Sequence, residues 1–568
     1  MKRGEWVCPG SLIRIRLTNT ILLLFLFLTA CDAIAPAPTI IFPPSTPTLI
    51  SIPAPSSPAD STRTPLPTPS LPLQIPSGGS ITIGFVGTPS FGVTTLPSFL
   101  AESLYDSLLE FDALDGSPRP GLAEAWTVSE DARTFEFRLK GNVQWHDGQL
   151  LTADDAVFTI SSLANPKARL VPVTDIGTLD KVTAVDDKTV RVTYKSANCA
   201  ALANLGAIKI LPKHVLEKAN LAQLAPGELI GSGPLKLITY KPGDAFILSS
   251  NKNYWQGAPH IENWTLKIFA GRTDVDGARA NNSIDVSEFD GTRGENPAAT
   301  NDLRVYARAA NSYYGLAIST TLSSLKDVRV RRAIASAIDR DALVKDVAGG
   351  QGQKLDTSIL PTFWANSSIS GPIRFDATRA AQLFADAGWT HANDGSLTKD
   401  GKPFALSLLT IADDPVMEPL AWRIREMLSA AGINTQLKLN GRNFYLTRLF
   451  DHTFDLALVR WNLPLDADQT LFWNSKQIDP GDGFNVVGYS NAQVDQAFDQ
   501  GLAVANCNAS ARKKIYAQAF NQIANDAPYV FLFAPMRGLV ARSRVSGFAV
   551  SSFAGDYWNL KDWFVVSN

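Results

Sequence analysis

The sequence predicts an α/β protein of two unlike lobes, and three observations carry that expectation. Strand patterns dominate up to about residue 320, helices and strands alternate from there to about 530, and no internal repeat relates the two parts. A chain of 568 residues is also too long for one ordinary core, since compact domains hold roughly 100 to 200 residues.

The strand-rich part is read from period-two alternation. Phe135, Phe137 and Leu139 alternate with Glu136 and Arg138, and Val190, Val192 and Tyr194 alternate with Arg191 and Thr193, as on half-buried strands. Asp186–Asp187 and Pro242–Gly243–Asp244 fall between such runs and predict hairpin turns. Thr152 and Asp155 are spaced as a capping pair, and His146 sits in the polar turn Trp145–Gly148 as a turn-stabilising residue rather than a catalyst. Gly231 and Gly233 with Pro234 predict a tight hairpin entry, with Asn251, Tyr254 and Trp255 capping and packing that hairpin. No GK[ST] follows the glycines, so they do not form a phosphate loop.

In the second part, Val330, Ile334, Ala337 and Ile338 share one helical face. So do Leu420, Ile424, Met427, Leu428 and Ala431, with Gly432 as the stop. Asp376 is spaced as an N-cap and Gly388 as a C-terminal stop, while Asn491 caps a helix carrying Val494, Phe498 and Leu502. The runs FALSLLT and TQLKL predict strands between the helices, giving a mixed sheet layered with helices.

The first eighty residues differ from all of this. Lys2, Arg3, Arg14 and Arg16 precede the apolar run Ile21–Leu28, and Leu28–Thr29–Ala30–Cys31 ends it. A bilayer core needs about 20 apolar residues, so the run is a signal peptide and not a transmembrane helix. The end of the run resembles a bacterial lipobox. That resemblance implies residues 1–31 as a lipoprotein signal, with Cys31 lipidated and left as the new N-terminus. Residues 32–78 are dominated by Pro, Ser, Thr and Ala with almost no charge, a composition that cannot repay the entropy of ordering. They predict a tether, which in polyproline II conformation would reach up to roughly 100 Å from the membrane.

Charge and histidine placement exclude whole classes of function. Lys and Arg number 52 against 54 Asp and Glu, with no basic run after the leader, so no nucleic-acid partner is expected. The five histidines and four cysteines show no metal-ligand spacing, and no cofactor or metal is expected. Cys199 and Cys507 are the cysteines of the mature chain. Their spacing leaves a disulfide open, and two buried free thiols is the favoured reading. The nearest approach to G-x-S-x-G is Gly488–Ala492, which lacks the last glycine, so no enzyme is predicted and an anchored hydrolase stands as an alternative.

Several blocks, in order and spread over the mature chain, resemble the peptide/nickel-type solute-binding proteins of ABC importers, solute-binding protein family 5. They are 102–160, beginning ESLYDSLLEFD; 231–255, ending NKNYW; DVRVRRAIASAIDRDALV at 327–344; FDATRAAQLFADAGW at 375–389; and GYSNAQVDQAF at 488–498. The resemblance implies a periplasmic-binding-protein-like fold (type II, cluster C), with a ligand cleft between lobes joined by two hinge strands. It places residues 79–318 plus 531–568 in an N-terminal lobe with a strand-rich subdomain, and 319–530 in a C-terminal lobe. The hinge crossings fall near Tyr313–Ser319 and Phe531–Arg537.

The function so implied is the extracytoplasmic substrate-binding component of an ABC transporter importing oligopeptides or dipeptides. It would be a monomer, lipid-anchored at the outer face of the cytoplasmic membrane, delivering its ligand to permease and ATPase subunits. Alternatives are another solute in the same class (nickel chelate, haem or oligosaccharide) and a surface sensor. Trp461 matches the family's tryptophan at the end of a C-terminal-lobe strand, and Arg460 replaces the glycine usually before it. The aspartate that pairs with a peptide amino terminus in family members, three residues after the tryptophan, is here Pro464. Asp466 and Asp468 are therefore the carboxylate candidates, with Tyr313 and Tyr314 beside the hinge.

Overall fold

In a computed structural model, residues 75–165, 178–293, 302–479 and 483–566 are described. The signal segment, Cys31 and nearly all of the tether lie outside the described residues.

Sixteen strands define the architecture. In chain order these are β1 Ser80–Val86, β2 Ala123–Val128, β3 Thr134–Leu139, β4 Leu179–Asp186, β5 Thr189–Tyr194, β6 Leu235–Lys241, β7 Ala245–Ser250 and β8 Asn263–Phe269. They continue as β9 Val286–Asp290, β10 Leu303–Ala309, β11 Ser312–Ile318, β12 Gly352–Lys354, β13 Ala405–Ile411, β14 Asn434–Asn440, β15 Leu456–Asn462 and β16 Tyr529–Arg542. The helices that matter below are α1 Ser98–Leu104, α2 Ala153–Ala164, α3 Val328–Ala337, α4 Ala377–Asp386, α5 Met417–Ala430, α6 Arg442–Phe450, α7 Ala492–Leu502 and α8 Ala509–Asp526.

Twelve strands form one continuous sheet, ordered β14-β13-β15-β11-β16-β9-β1-β8-β7-β6, with β10 and β12 also pairing β16. The remaining four make a separate antiparallel sheet, β2-β3-β5-β4. Thr134–Leu139 alternates as its sequence requires, with Phe135, Phe137 and Leu139 buried and Arg138 exposed.

The large sheet is two half-sheets joined by two chain segments. Strand β16 pairs antiparallel with β11 through Tyr529–Phe533, then with β9 and β10 through Met536–Arg542. Strands β10 and β11 follow one another along it, with Ala310 and Asn311 between them. Both half-sheets thus share β16, and the molecule is two-lobed.

Among the described residues three large apolar cores flank these sheets, with a small fourth around Val275, Ala278 and Ile284. One packs β11, β13, β15 and the start of β16 against α3, α4, α5, α6, α7 and α8. A second lies on the four-stranded sheet under α2, and a third holds β1, β7 and β8 against α1, Tyr557 and Trp563. Strand β16 is buried along almost its whole length, as befits a strand covered on both faces.

Local signals in the sequence are realised closely. The Thr152 amide donates to Asp155 Oδ2 at 2.9 Å, Asp376 caps α4 by accepting from the Arg379 amide, and Asn491 caps α7. Gly388 and Gly432 close their helices at φ +84° and +85°. His146 Nδ1 accepts from the Gly231 amide, and its Nε2–H donates to the Gly233 carbonyl oxygen, both at 3.1 Å. A Cβ on Gly231 would sit 1.7 Å from the Leu104 carbonyl oxygen, so only glycine lets this turn close over the end of α1.

One expectation is overturned. Cys199 and Cys507 are not free thiols but a disulfide, with Cα atoms 5.2 Å apart. Cys199 follows β5, Cys507 lies between α7 and α8, and the Cys199 amide donates to the Leu502 carbonyl beside it. The pairing spans 308 residues, a separation at which spacing carries no information about proximity.

Candidate ligand cleft

Strands β13, β14 and β15 run parallel to one another, and their carboxyl ends open on a cavity of about 290 Å³. In mixed α/β sheets this is where ligands bind, because the loops leaving the strand ends diverge there. Its walls include Asp414 after β13, Arg442 and Tyr445 on α6, and Arg460 and Trp461 at the end of β15. Tyr445 is fixed by donating to the Leu458 carbonyl at 2.7 Å.

The register of β11 against β15 pairs Tyr313 with Trp461 and Tyr314 with Arg460. Directly opposed residues share a face, so these four candidates meet as two cross-strand couples. The Arg460 guanidinium lies 5.7 Å from the centre of the Tyr314 ring. Trp461 packs edge-on to Phe472 and Phe484, which stack on each other.

Burial pushes the Tyr314 hydroxyl upward in pKa, with Arg460 opposing and Asp414 and Asp290 adding to the rise. Asp290 is ion-paired with Arg537 at 2.9 Å, so charges of both half-sheets act on Tyr314. Tyr313 is buried against Phe531 and is a packing residue of the crossing strands.

The two aspartates are not equivalent. Asp466 is buried and doubly hydrogen-bonded to Arg512, which leaves it a structural ion pair and not a free carboxylate for a ligand. Asp468 accepts from Thr470 Oγ1 at 2.6 Å, and burial raises its pKa to about 7 against the hydrogen bond from Thr470.

A second cavity, about 260 Å³, lies where α1 and the chain beyond it face Leu465, on the segment following β15. Glu102, Asp106, Glu110 and Lys209 supply its charge, and Phe111, Tyr254, Phe553 and Trp558 much of its apolar wall. Asp106 is a hub. It accepts from Ser232 Oγ at 2.7 Å, Tyr254 Oη at 2.8 Å and Trp255 Nε1 at 3.1 Å. Tyr254 and Trp255 thus do more than pack their hairpin; they hold a carboxylate at the cavity.

Burial raises Glu102 to about 7, with Lys209 as the main opposing charge, and it raises Glu110 as well. Asp556 and Arg308, 2.6 Å apart, also act on Glu102.

Asp414, Arg442, Glu102, Glu110 and Lys209 were not predicted as site residues. The end of the FALSLLT strand would have pointed to Asp414, but only known strand directions reveal that three carboxyl ends converge. Among the described residues no group of three or more His, Cys, Asp or Glu side chains is placed to hold a metal ion.

The chain was compared with known proteins. Residues 117–480 match the model of the bacterial extracellular solute-binding proteins, family 5. The oligopeptide-binding protein AppA of Bacillus subtilis is 27% identical over 506 residues, covering 86% of this chain and 92% of AppA. The periplasmic oligopeptide-binding protein OppA of Salmonella typhimurium is 26% identical, over 79% of this chain and 85% of OppA. The solved structure of B. subtilis AppA in complex with a nonapeptide is similar with a TM-score of 0.66, over 87% of this chain and all of that one.

Proposed function

The chain belongs to the bacterial extracellular solute-binding proteins of family 5, and from that membership we propose that it captures peptides outside the cytoplasmic membrane and delivers them to an ABC importer. The observation that carries the peptide reading is the cavity at the carboxyl ends of β13–β15. It offers an indole, two arginines and a carboxylate at the carboxyl ends of one half-sheet, where Asn462 pairs with Ser312 on the strand that crosses to the other. Backbone-rich, zwitterionic ligands need both charges and a flat apolar face. Relatives named for oligopeptide binding support the same reading.

In mechanism, contacts that a ligand makes with both lobes exist only when the lobes are closed. Binding therefore shifts the population toward closure, and the importer recognises the closed form. Strands β10–β11 and β16, which cross between the half-sheets, are the hinge. In this reading residues 79–318 with 531–568 move against 319–530. Cys31 and the proline-rich segment hold the monomer at the outer face of the membrane.

Thermal-shift measurement of the full-length protein against peptide, oligosaccharide and metal-chelate panels tests this, since ligand binding free energy appears directly as a raised melting temperature. Peptides of two to nine residues are expected to raise it. A response confined to sugars or chelates would overturn the peptide assignment. Trp461→Ala is expected to abolish the shift, and an unchanged shift would remove Trp461 from the site.

A further inference from the structure

We propose that the cavity lined by Glu102, Asp106, Glu110, Tyr105 and Lys209 receives one cationic side chain of the bound peptide, an amine or guanidinium carried on an apolar stem. The inference rests on the peptide reading above and names the peptide class.

Size is the first argument. Cavities that enclose whole small-molecule ligands run to about 300–1,000 Å³, so this one, about 260 Å³, and the one at Trp461, about 290 Å³, each suit a part of a peptide. Location is the second. Leu465, four positions beyond Trp461 in the chain, forms part of the wall, so the two cavities are joined by a segment that spans at most about 14 Å.

Charge is the third. Three carboxyl groups face one ammonium, that of Lys209. Asp106 already accepts three hydrogen bonds from Ser232, Tyr254 and Trp255. Glu102 accepts one from the Tyr557 amide and Glu110 one from Gln256, which leaves acceptor capacity on both. The Tyr105 hydroxyl, on the same wall and buried, has no hydrogen-bond partner among the described residues. An orphaned buried hydroxyl is costly, and an N–H donor from a ligand would satisfy it.

The walls argue for an organic cation. Leu109, Phe111, Phe553 and Trp558 offer apolar and aromatic surface for a stem and its charged head. The carboxylates do not converge as a metal site would require. The groups facing Glu102 are Lys209, Arg308 and Asp556 with the Tyr557 amide, and burial holds Glu102 near neutrality, so an arriving cation displaces a proton from it.

The test uses the full-length protein and calorimetric titration with alanine pentapeptides in which one position at a time is Lys, norleucine or Glu. The Lys series is expected to contain a position binding at least tenfold tighter than its norleucine counterpart. That ratio should shrink as pH falls from 8 to 5.5, when protons compete for Glu102. In Glu102→Gln/Glu110→Gln the ratio should collapse to about one and lose its pH dependence.

Ala554→Lys, which places a tethered ammonium on the cavity wall, should also abolish the Lys preference and guards against misfolding of the first variant. Equal affinities for Lys and norleucine at every position, or a preference that survives these variants, would overturn the proposal. Hexylamine is titrated in parallel. Amine binding lost in the variants without any peptide binding would sink the peptide reading and keep the cation site, whereas amine and peptide binding alike indifferent to Glu102 would sink the site.

Discussion

Asp466 and Arg512 form a two-pronged ion pair, Oδ2 to Nη1 at 2.8 Å and Oδ1 to Nη2 at 2.6 Å, with each side chain only 5% exposed. Arg512 also donates to the Gly501 carbonyl and the Tyr516 hydroxyl, so the segment following Trp461 is pinned to α8. Asp466→Ala leaves a buried guanidinium uncompensated. A loss of about 3–5 kcal/mol is expected, read as a lowered urea midpoint. Asp466→Leu with Arg512→Met should cost distinctly less; a double variant as unstable as the single one would contradict this account.

The Cys199–Cys507 disulfide ties the core beneath the four-stranded sheet to the turn between α7 and α8. A cross-link over 308 residues removes much freedom from the unfolded chain. Replacing both cysteines by serine is expected to lower stability by about 2–5 kcal/mol. Small-angle scattering of the ligand-free variant should show a larger radius of gyration than the oxidised parent, and identical scattering curves would speak against the bridge limiting lobe separation.

His146 gives a pH signature. Burial, with Lys236 adding, lowers its pKa to about 4, and both ring nitrogens are engaged as in the neutral imidazole. The unfolded chain binds the proton near pH 6.5 and the folded one does not. Stability is therefore full above about 6.5 and falls as pH drops toward about 4, by roughly 3 kcal/mol from this group. His146→Asn should flatten that part of the stability–pH curve. An unaltered slope between pH 6.5 and 4 would assign the effect elsewhere.

Arg442 and Arg460 should read a ligand carboxylate. Arg442→Gln/Arg460→Gln is expected to weaken free-acid peptides about tenfold or more while barely affecting the matching C-terminal amides. Calorimetry on acid and amide pairs checks this, and equal losses for both would show that the arginines do not face the terminus.

What was legible in the sequence was local. The Thr152–Asp155 cap, the N-caps Asp376 and Asn491 and the alternation through Thr134–Leu139 depend on neighbours within a few positions. The two lobes followed from the mixture of periods and from the resemblance. Of the residues lining the cavity at the strand ends, a family position marked only Trp461 and Arg460.

Asp466 looked like a free loop carboxylate because its partner, Arg512, is 46 residues away and meets it only in the packed structure. Glu102 and Glu110 lie in a block read for its resemblance, and their cavity exists only once Leu465 and the segment around Phe553 fold across it.

Strand β16 carries a consequence for biosynthesis. It supplies the partner for β9, β10, β11 and β12, yet begins only at Tyr529. A chain emerging amino-terminus first must hold two incomplete half-sheets, with their open edges, until Tyr529–Arg542 arrives. Truncations that remove Tyr529–Arg542 should therefore yield aggregates rather than one intact lobe, and chaperone demand should persist until that strand is made.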